Sequence, residues 1–293
     1  SILMGGFMAF IQPARDALLN RVAGEKIQEA VTVTIGLQWG VQILGFGIGS
    51  AADLVGPIIL CFIISLFMLG SAFTTKLIPV LPLRKTDISK SAIAQIREGL
   101  QIAWQDVAIR TAIIQIFALA IFYSGAYLVL LPIMVRDLYG GGSLGLGGGF
   151  AANLAGTVLS TLLLMRYGRV RYPGRALTYG VMLSCCVLLG LTTQLPTWLF
   201  YLVVFLWGAG GGVIVIMSRS IVQECAPETH RARVMSIFSL GLMGGSPLGS
   251  LMMGLLIDDV GVYLAVLFPV VGMTLVSLIL FFKTPLWVIE SKS

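Results

Sequence analysis

Long apolar runs, separated by short polar connections, follow one another along the whole chain. About nine of these runs reach the roughly 20 residues that a helix needs to cross the hydrocarbon core of a membrane. They lie near residues 1–22, 30–52, 55–75, 110–135, 143–165, 175–194, 197–222, 233–257 and 261–282. Because a backbone inside lipid must satisfy its own hydrogen bonds, this pattern predicts an all-α integral membrane protein.

The charges of the polar connections predict the orientation of these spans. Of the 19 Lys and Arg residues, all but Arg136 fall in alternate connections or in the adjoining helix ends. Such basic connections stay in the cytoplasm, so the C-terminus is predicted to be cytoplasmic. The acidic residues at the opposite helix ends are then expected on the outer side: Asp53, Asp137, Asp258 and Asp259.

One connection, residues 76–109, is much longer than the others. Within it Ile93, Ile96, Leu100, Ala103 and Val107 recur at helical spacing. We predict an amphipathic helix on the cytoplasmic face that joins two bundles, with a binding site for a calmodulin-like partner as the alternative. The predicted domains are residues 1–75, the last three helices of an N-terminal bundle; 76–109, the linker; and 110–293, a C-terminal six-helix bundle with a short tail.

Composition agrees with a membrane protein and excludes several other classes. Hydrophobic residues make up 57% of the chain and charged residues 11%, with a mean hydropathy of +0.97. The net charge of +6 is explained by the basic connections, so no nucleic-acid partner is expected. The cysteines and the single histidine show no spacing of metal ligands, and no catalytic cluster is evident. We therefore expect neither a cofactor, nor a metal, nor an enzyme.

An internal repeat of about 205 residues relates two stretches, 36–53 and 241–258. In this alignment Gly36 falls on Gly241 and Asp53 falls on Asp258. Duplicated halves are common in transporters. Six spans follow the long connection and only three precede it, and the chain starts with Ser1. The sequence therefore predicts an N-terminally truncated chain, with nine of twelve transmembrane helices present.

Several segments carry a resemblance to a known family: QPARDALLNRV at 12–22, IREGLQIAWQDVAIRTAII at 96–114, LPIMVRDLYGGGSLGLGGGFAANLAG at 131–156 and RARVMSIFSLGLMGGSPLG at 231–249. Together they resemble the major facilitator superfamily, and within it the siderophore (enterobactin) and macrolide exporters. The superfamily's cytoplasmic motif is Gly, three residues, then Asp-Arg-x-Gly-Arg. Arg166, Gly168 and Arg169 match this motif, whereas Thr161 and Met165 replace its Gly and Asp. The resemblance implies a helical bundle of the major facilitator type.

Substrate sites in this family lie near the bilayer midplane, which directs attention to polar and aromatic residues halfway along each span. The candidates share this position and suit a large, partly aromatic and mostly neutral molecule. They are Gln38, Trp39, Gln42, Tyr123, Tyr127, Asn153 and Trp207. For each residue, hydrogen bonding or packing between helices is the alternative interpretation.

Charged candidates lie near the cytoplasmic helix ends. Arg15 and Arg219 are either gating charges or residues that reach the lipid headgroups. Together with Asp16 and the motif residues Arg166, Gly168 and Arg169, they form the predicted gating and cytoplasmic-motif set. No carboxylate lies at mid-depth, so a coupling acid is expected in the missing helices, with Asp16 as the alternative.

These observations predict a monomeric secondary transporter in the plasma membrane of a bacterium. The resemblance implies export of a siderophore, macrolide or other amphiphile by alternating access, with protons as the coupling ion. Two alternatives stay open at this point. One is a transporter of lysophospholipid or other lipid, and the other is a membrane scaffold or inactive truncated product.

Overall fold

The computed structural model describes residues 37, 41–42, 44–49, 55–76, 92–167, 170–227, 230–284 and 287. The chain divides into two compact units, Ser1–Gly49 and Ser50–Ser293. In the first unit the described residues are helical, and Gln42 is exposed. The predicted runs 1–22 and 30–52 lie mostly outside the described residues.

In its described residues the second unit consists of helices. Helix α1 spans Pro57–Lys76, α2 Ala92–Gln105, α3 Val107–Leu138, α4 Ser143–Tyr167, α5 Pro173–Leu189, α6 Thr197–Cys225, α7 Arg231–Val260 and α8 Leu267–Lys283, with a single turn at Val262–Ala265 before α8. Among the described residues seven helices, all except α2, are long and apolar enough to cross a membrane. The all-α membrane fold predicted from the sequence is confirmed.

Helix α6 lies at the centre of this second unit. It packs against α4 and α5 along much of its length and also contacts α3, which in turn contacts α7 and α8. A helix that is apolar on all sides is expected to be buried. Phe200 and Ile214 of α6 are fully buried, as are Ile109 and Ile116 of α3.

Helices α2 and α3 are separated by a capped break at Asp106. Its carboxylate accepts hydrogen bonds from the backbone N–H groups of Ala108 and Ile109, at 2.8 and 3.0 Å. This satisfies two of the free amide donors at the start of α3. A helix is therefore present in the predicted linker and ends where the membrane span begins, while the division into two bundles stays a prediction.

Helix α3 departs from regular α-helical geometry in its second half. Its turns at Ala120–Ser124, Ala126–Leu130 and Met134–Leu138 are π-helical. The N–H of Leu131, for example, donates to the carbonyl of Ala126, five residues earlier. Such wide turns are rare and are frequently found at functional sites. Nothing in the hydropathy pattern predicted them.

Candidate substrate site

Four aromatic side chains from three helices meet at edge-on contacts in the middle of the second unit. The ring centroids of Tyr123 and Trp207 lie 6.1 Å apart, and those of Tyr127 and Trp207 lie 6.3 Å apart. Phe150 extends the group, at 4.9 Å from Tyr127. We call these four residues the aromatic cluster. Edge-to-face pairs at such distances are favourable beyond the area they bury.

Local structure explains why these rings meet. Tyr123 and Tyr127 stand in successive π-helical turns of α3, on the face that is directed to α6. Trp207 precedes Gly208, where the backbones of α4 and α6 cross so closely that a Cβ atom would overlap the carbonyl oxygen of Asn153. Phe150 lies one turn before Asn153 on α4 and is brought to the cluster by the same crossing.

The four rings differ in how much of their surface is accessible. Tyr123 and Trp207 are buried, with 4% and 3% of their surface exposed, whereas Tyr127 and Phe150 are partly exposed. The hydroxyl of Tyr123 lies 3.3 Å from the thiol of Cys185 on α5. Tyr127 and Phe150 therefore form the accessible side of the cluster, and Tyr123 and Trp207 form its buried side.

Asn153 takes part in helix packing. Its side-chain amide donates to the carbonyl of Val204, at 3.2 Å, and Thr157 donates to the carbonyl of Gly208, at 3.0 Å. Both bonds join α4 to α6. Asn153 thus has the interhelical role that is the alternative interpretation for an amide inside a membrane.

The remaining predicted residues lie in the first unit, near helix ends, or outside the described residues. Gln42 belongs to the first unit, and Gln38 and Trp39 lie outside the described residues. Arg166 and Arg219 are exposed, near the ends of α4 and α6. Arg15, Asp16, Gly168 and Arg169 also lie outside the described residues. Their proposed roles stay predictions.

Within the described part of the chain, no carboxylate lies halfway along a membrane span. Asp137 pairs with Arg136 at the end of α3, and Asp258 and Asp259 close α7. Glu224 accepts a hydrogen bond from Ser220, at 3.1 Å, beside a cavity of about 250 Å³ near the end of α6. Groups of three or more potential metal ligands are absent from the described residues.

Sequence reasoning missed several polar contacts between distant helices. Gln115 of α3 donates to Ser277 of α8 inside the membrane span, at 3.2 Å. Glu98 of α2 pairs with Arg233 at the start of α7, at 2.9 Å. The sequence shows that Gln115 is an amide in an apolar run and that Glu98 is an acid in a basic linker, but it does not show their partners. Their partners are 162 and 135 residues away in the chain, and only the packing of the helices brings them together.

The fold is that of a multi-pass, all-α membrane protein, with seven candidate spans among the described residues. The family model described as "Major Facilitator Superfamily" matches residues 1–228 and 147–286. The chain therefore belongs to the major facilitator superfamily, which is a class of transporters and not of enzymes.

Comparison with solved structures agrees with this assignment at the level of the fold. The chain is similar to a mutant of the peptide transporter POT in complex with alafosfalin, with a TM-score of 0.52 and 21% sequence identity. The match covers 62% of this chain and 39% of that one. No curated protein sequence matches the chain.

Proposed function

We propose that this protein exports a small amphiphilic molecule, of the siderophore, macrolide or drug type, by alternating access in exchange for protons. The observation that carries the proposal is the aromatic cluster, with Tyr127 and Phe150 on its accessible side. Pockets for such molecules are mostly apolar and aromatic, with few polar groups that set the orientation of the ligand. The hydroxyl of Tyr127 supplies one such group.

The charges around the cluster support a neutral cargo. The cluster contains no acid or base, and the described carboxylates nearest to it in sequence, those of Asp106, Asp137 and Glu224, lie at or near helix ends. A charged cargo inside a membrane usually pairs with a side chain of opposite charge, a carboxylate for a cation or a base for an anion. An aromatic, uncharged amphiphile needs neither.

Alternating access requires two bundles that rock around the central site. In this proposal residues 1–75 belong to one bundle, residues 110–293 form the other, and residues 76–109 link them. Proton exchange requires an acid that titrates as access alternates. None of the described carboxylates lies halfway along a span, so we assign this role to a residue outside the described part, with Asp16 as the candidate in this sequence.

The proposal also includes a plasma-membrane location and a monomeric state. A cytoplasmic C-terminus is proposed because the basic residues occupy one set of connections. A C-terminal green fluorescent protein fusion should fluoresce, since this reporter folds in the cytoplasm. A C-terminal alkaline phosphatase fusion, which is active only outside, should be inactive. The reverse result would contradict the orientation.

Efflux of Nile red, a neutral aromatic amphiphile, tests the function. Cells that express the chain are loaded with the dye and then energised. We expect the dye to leave, and a protonophore to stop its exit. Replacing Tyr127→Leu should slow efflux about five- to tenfold, since one aromatic contact contributes up to about 1.5 kcal/mol. The matched control is Phe122→Leu, an aromatic residue of the same helix whose ring packs on Phe268 at 5.0 Å.

Each outcome of this experiment has a distinct meaning. Efflux that survives the protonophore would contradict proton exchange. Equal losses in both variants would assign Tyr127 a packing role only. Movement of a labelled lysophospholipid without movement of Nile red would favour the lipid transporter instead. Absence of any transport by a correctly inserted chain would favour the scaffold.

A further inference from the structure

Helix α2 is fixed to the start of α7 through its inner face. The carboxylate of Glu98 accepts from Arg233, at 2.9 Å, and lies 3.2 Å from the His230 ring. At Gly99 a Cβ atom would stand 3.1 Å from Ile237, and Ala103 is fully buried. Small residues and one ion pair thus hold α2 against the bundle.

The opposite face of α2 is exposed and mixes apolar with basic character. Leu100 and Trp104 are large apolar residues one turn apart, with 45% and 50% of their surface exposed. Arg97, Gln101 and Gln105 are exposed beside them. Leu100 was predicted on the apolar side of an amphipathic helix. The bundle covers only part of the apolar surface of α2, and Leu100 lies on the part that stays exposed.

The two acidic residues in and next to α2 are engaged in other contacts. Residues 92–110 contain two carboxylates, Glu98 and Asp106, and both are engaged. Glu98 pairs with Arg233 on the inner face, and Asp106 accepts the backbone amides that open α3. The outward face therefore presents Arg97 without an acid of α2 beside it.

Helix α2 directly precedes the membrane span α3, so it lies close to the membrane surface. Trp104 comes three residues before Val107, the first residue of the span α3. Tryptophan is enriched where membrane meets water. At 100° per residue, Leu100 and Trp104 fall on one side of Arg97, and Gln101 and Gln105 fall on the other. Such a helix fits flat on a membrane, with Leu100 and Trp104 toward the lipid.

We infer that the outward face of α2 lies in the membrane surface and binds anionic phospholipid headgroups through Arg97, with Leu100 and Trp104 inserted among the acyl chains. A basic amphipathic helix gains affinity both from buried apolar area and from attraction to anionic lipid. The inference depends on the membrane span α3 and not on the cargo that the transporter carries.

Lipid binding to the purified full chain tests the anionic preference. Phosphatidylglycerol or phosphatidylcholine is titrated into the protein in detergent, and bound lipids are counted by native mass spectrometry. We expect Arg97→Gln to weaken phosphatidylglycerol binding about fivefold and to leave phosphatidylcholine binding unchanged. Arg97→Lys should retain binding. The control Arg136→Gln removes an exposed arginine from the opposite end of α3.

Trp104→Ala should instead weaken the binding of both lipids, because it removes apolar contact and no charge. Raising the salt concentration should reduce phosphatidylglycerol binding by the wild-type chain and by Arg136→Gln, but much less by Arg97→Gln. An equal loss in Arg97→Gln and Arg136→Gln, or equal affinity of the wild-type chain for the two lipids, would overturn the inference.

Depth is measured separately on the chain reconstituted in vesicles that contain phosphatidylglycerol. Nitroxide labels are attached through Trp104→Cys and Gln105→Cys in a background without the native cysteines. The label at 104 should be relaxed mainly by oxygen, which dissolves in lipid, and the label at 105 mainly by a water-soluble nickel complex. Equal access of the nickel complex to both positions would show that α2 stands in water and would refute the inference.

Discussion

Replacing Gly208→Ala is expected to force apart the helices α4 and α6, whose crossing positions the aromatic cluster. The added Cβ would overlap the carbonyl oxygen of Asn153 and would lie 2.7 Å from its carbonyl carbon and 2.9 Å from its Cα. All three atoms belong to the backbone, so no side-chain rotation relieves the overlap. On α4, Gly156 faces an equally close approach to the carbonyl of Phe205.

The magnitude follows from these contacts. Non-bonded carbon atoms prefer about 3.5–4.0 Å, so the helices must separate by roughly 1 Å. Overpacking of this kind costs about 1–3 kcal/mol. The hydrogen bonds from Asn153 to Val204 and from Thr157 to Gly208 span the same crossing, and each is worth about 0.6 kcal/mol. The expected total loss is therefore about 2–4 kcal/mol.

A matched control is available in the same helix. At Gly211 no neighbouring atom lies within 4 Å of the place that a Cβ would take, so Gly211→Ala adds the same methyl group and the same helix propensity without the overlap. Unfolding of both variants by sodium dodecyl sulfate is followed by circular dichroism in mixed micelles. Gly208→Ala should be less stable than Gly211→Ala by about 2–4 kcal/mol. A difference below about 0.5 kcal/mol would refute the reasoning.

Three further predictions concern the helix ends and connections. Glu98→Gln should raise amide hydrogen exchange in α2 about fivefold, since it removes the pairing with Arg233, worth up to about 1 kcal/mol, while exchange in α6 stays unchanged. Burial raises the pKa of the Tyr139 phenol, so the native state favours its neutral form. The free energy of unfolding should therefore fall as the pH rises above about 10, and Tyr139→Phe should reduce that fall. Arg219→Gln should leave Nile red efflux nearly intact, because an exposed arginine near a helix end can reach the headgroups; near-total loss with normal membrane insertion would instead identify a gating charge.

The glycines of α6 show how neighbouring helices set the role of a small residue. In the run WGAGGG at 207–212, Gly208 and Gly212 face α4 while Gly210 faces α5. Gly245 and Gly249 of α7 allow a similarly close approach to the backbone of α3. Which role a glycine plays depends on the neighbour, which the local sequence does not specify.

In the candidate site, three aromatic residues were predicted from the sequence and one was not. Tyr123, Tyr127 and Trp207 were selected because they lie halfway along apolar runs, and they do meet. Phe150 was missed because an apolar ring in an apolar span carries no signal of its own. The contact depends on the π-helical turns of α3 and on the α4–α6 crossing.

The sequence alone determined the class and the approximate positions of the seven spans that the described residues contain. The reason is that lipid offers no hydrogen bonds, so a long apolar run has to form a helix, and charge has to stay at its ends. Which faces of those helices meet was decided by the tertiary structure alone. Between helices in lipid there is little hydrophobic preference for one face over another. Close backbone approach at glycines, the ion pair of Glu98 and the shape of aromatic rings select the partners, and these depend on residues far apart in the chain.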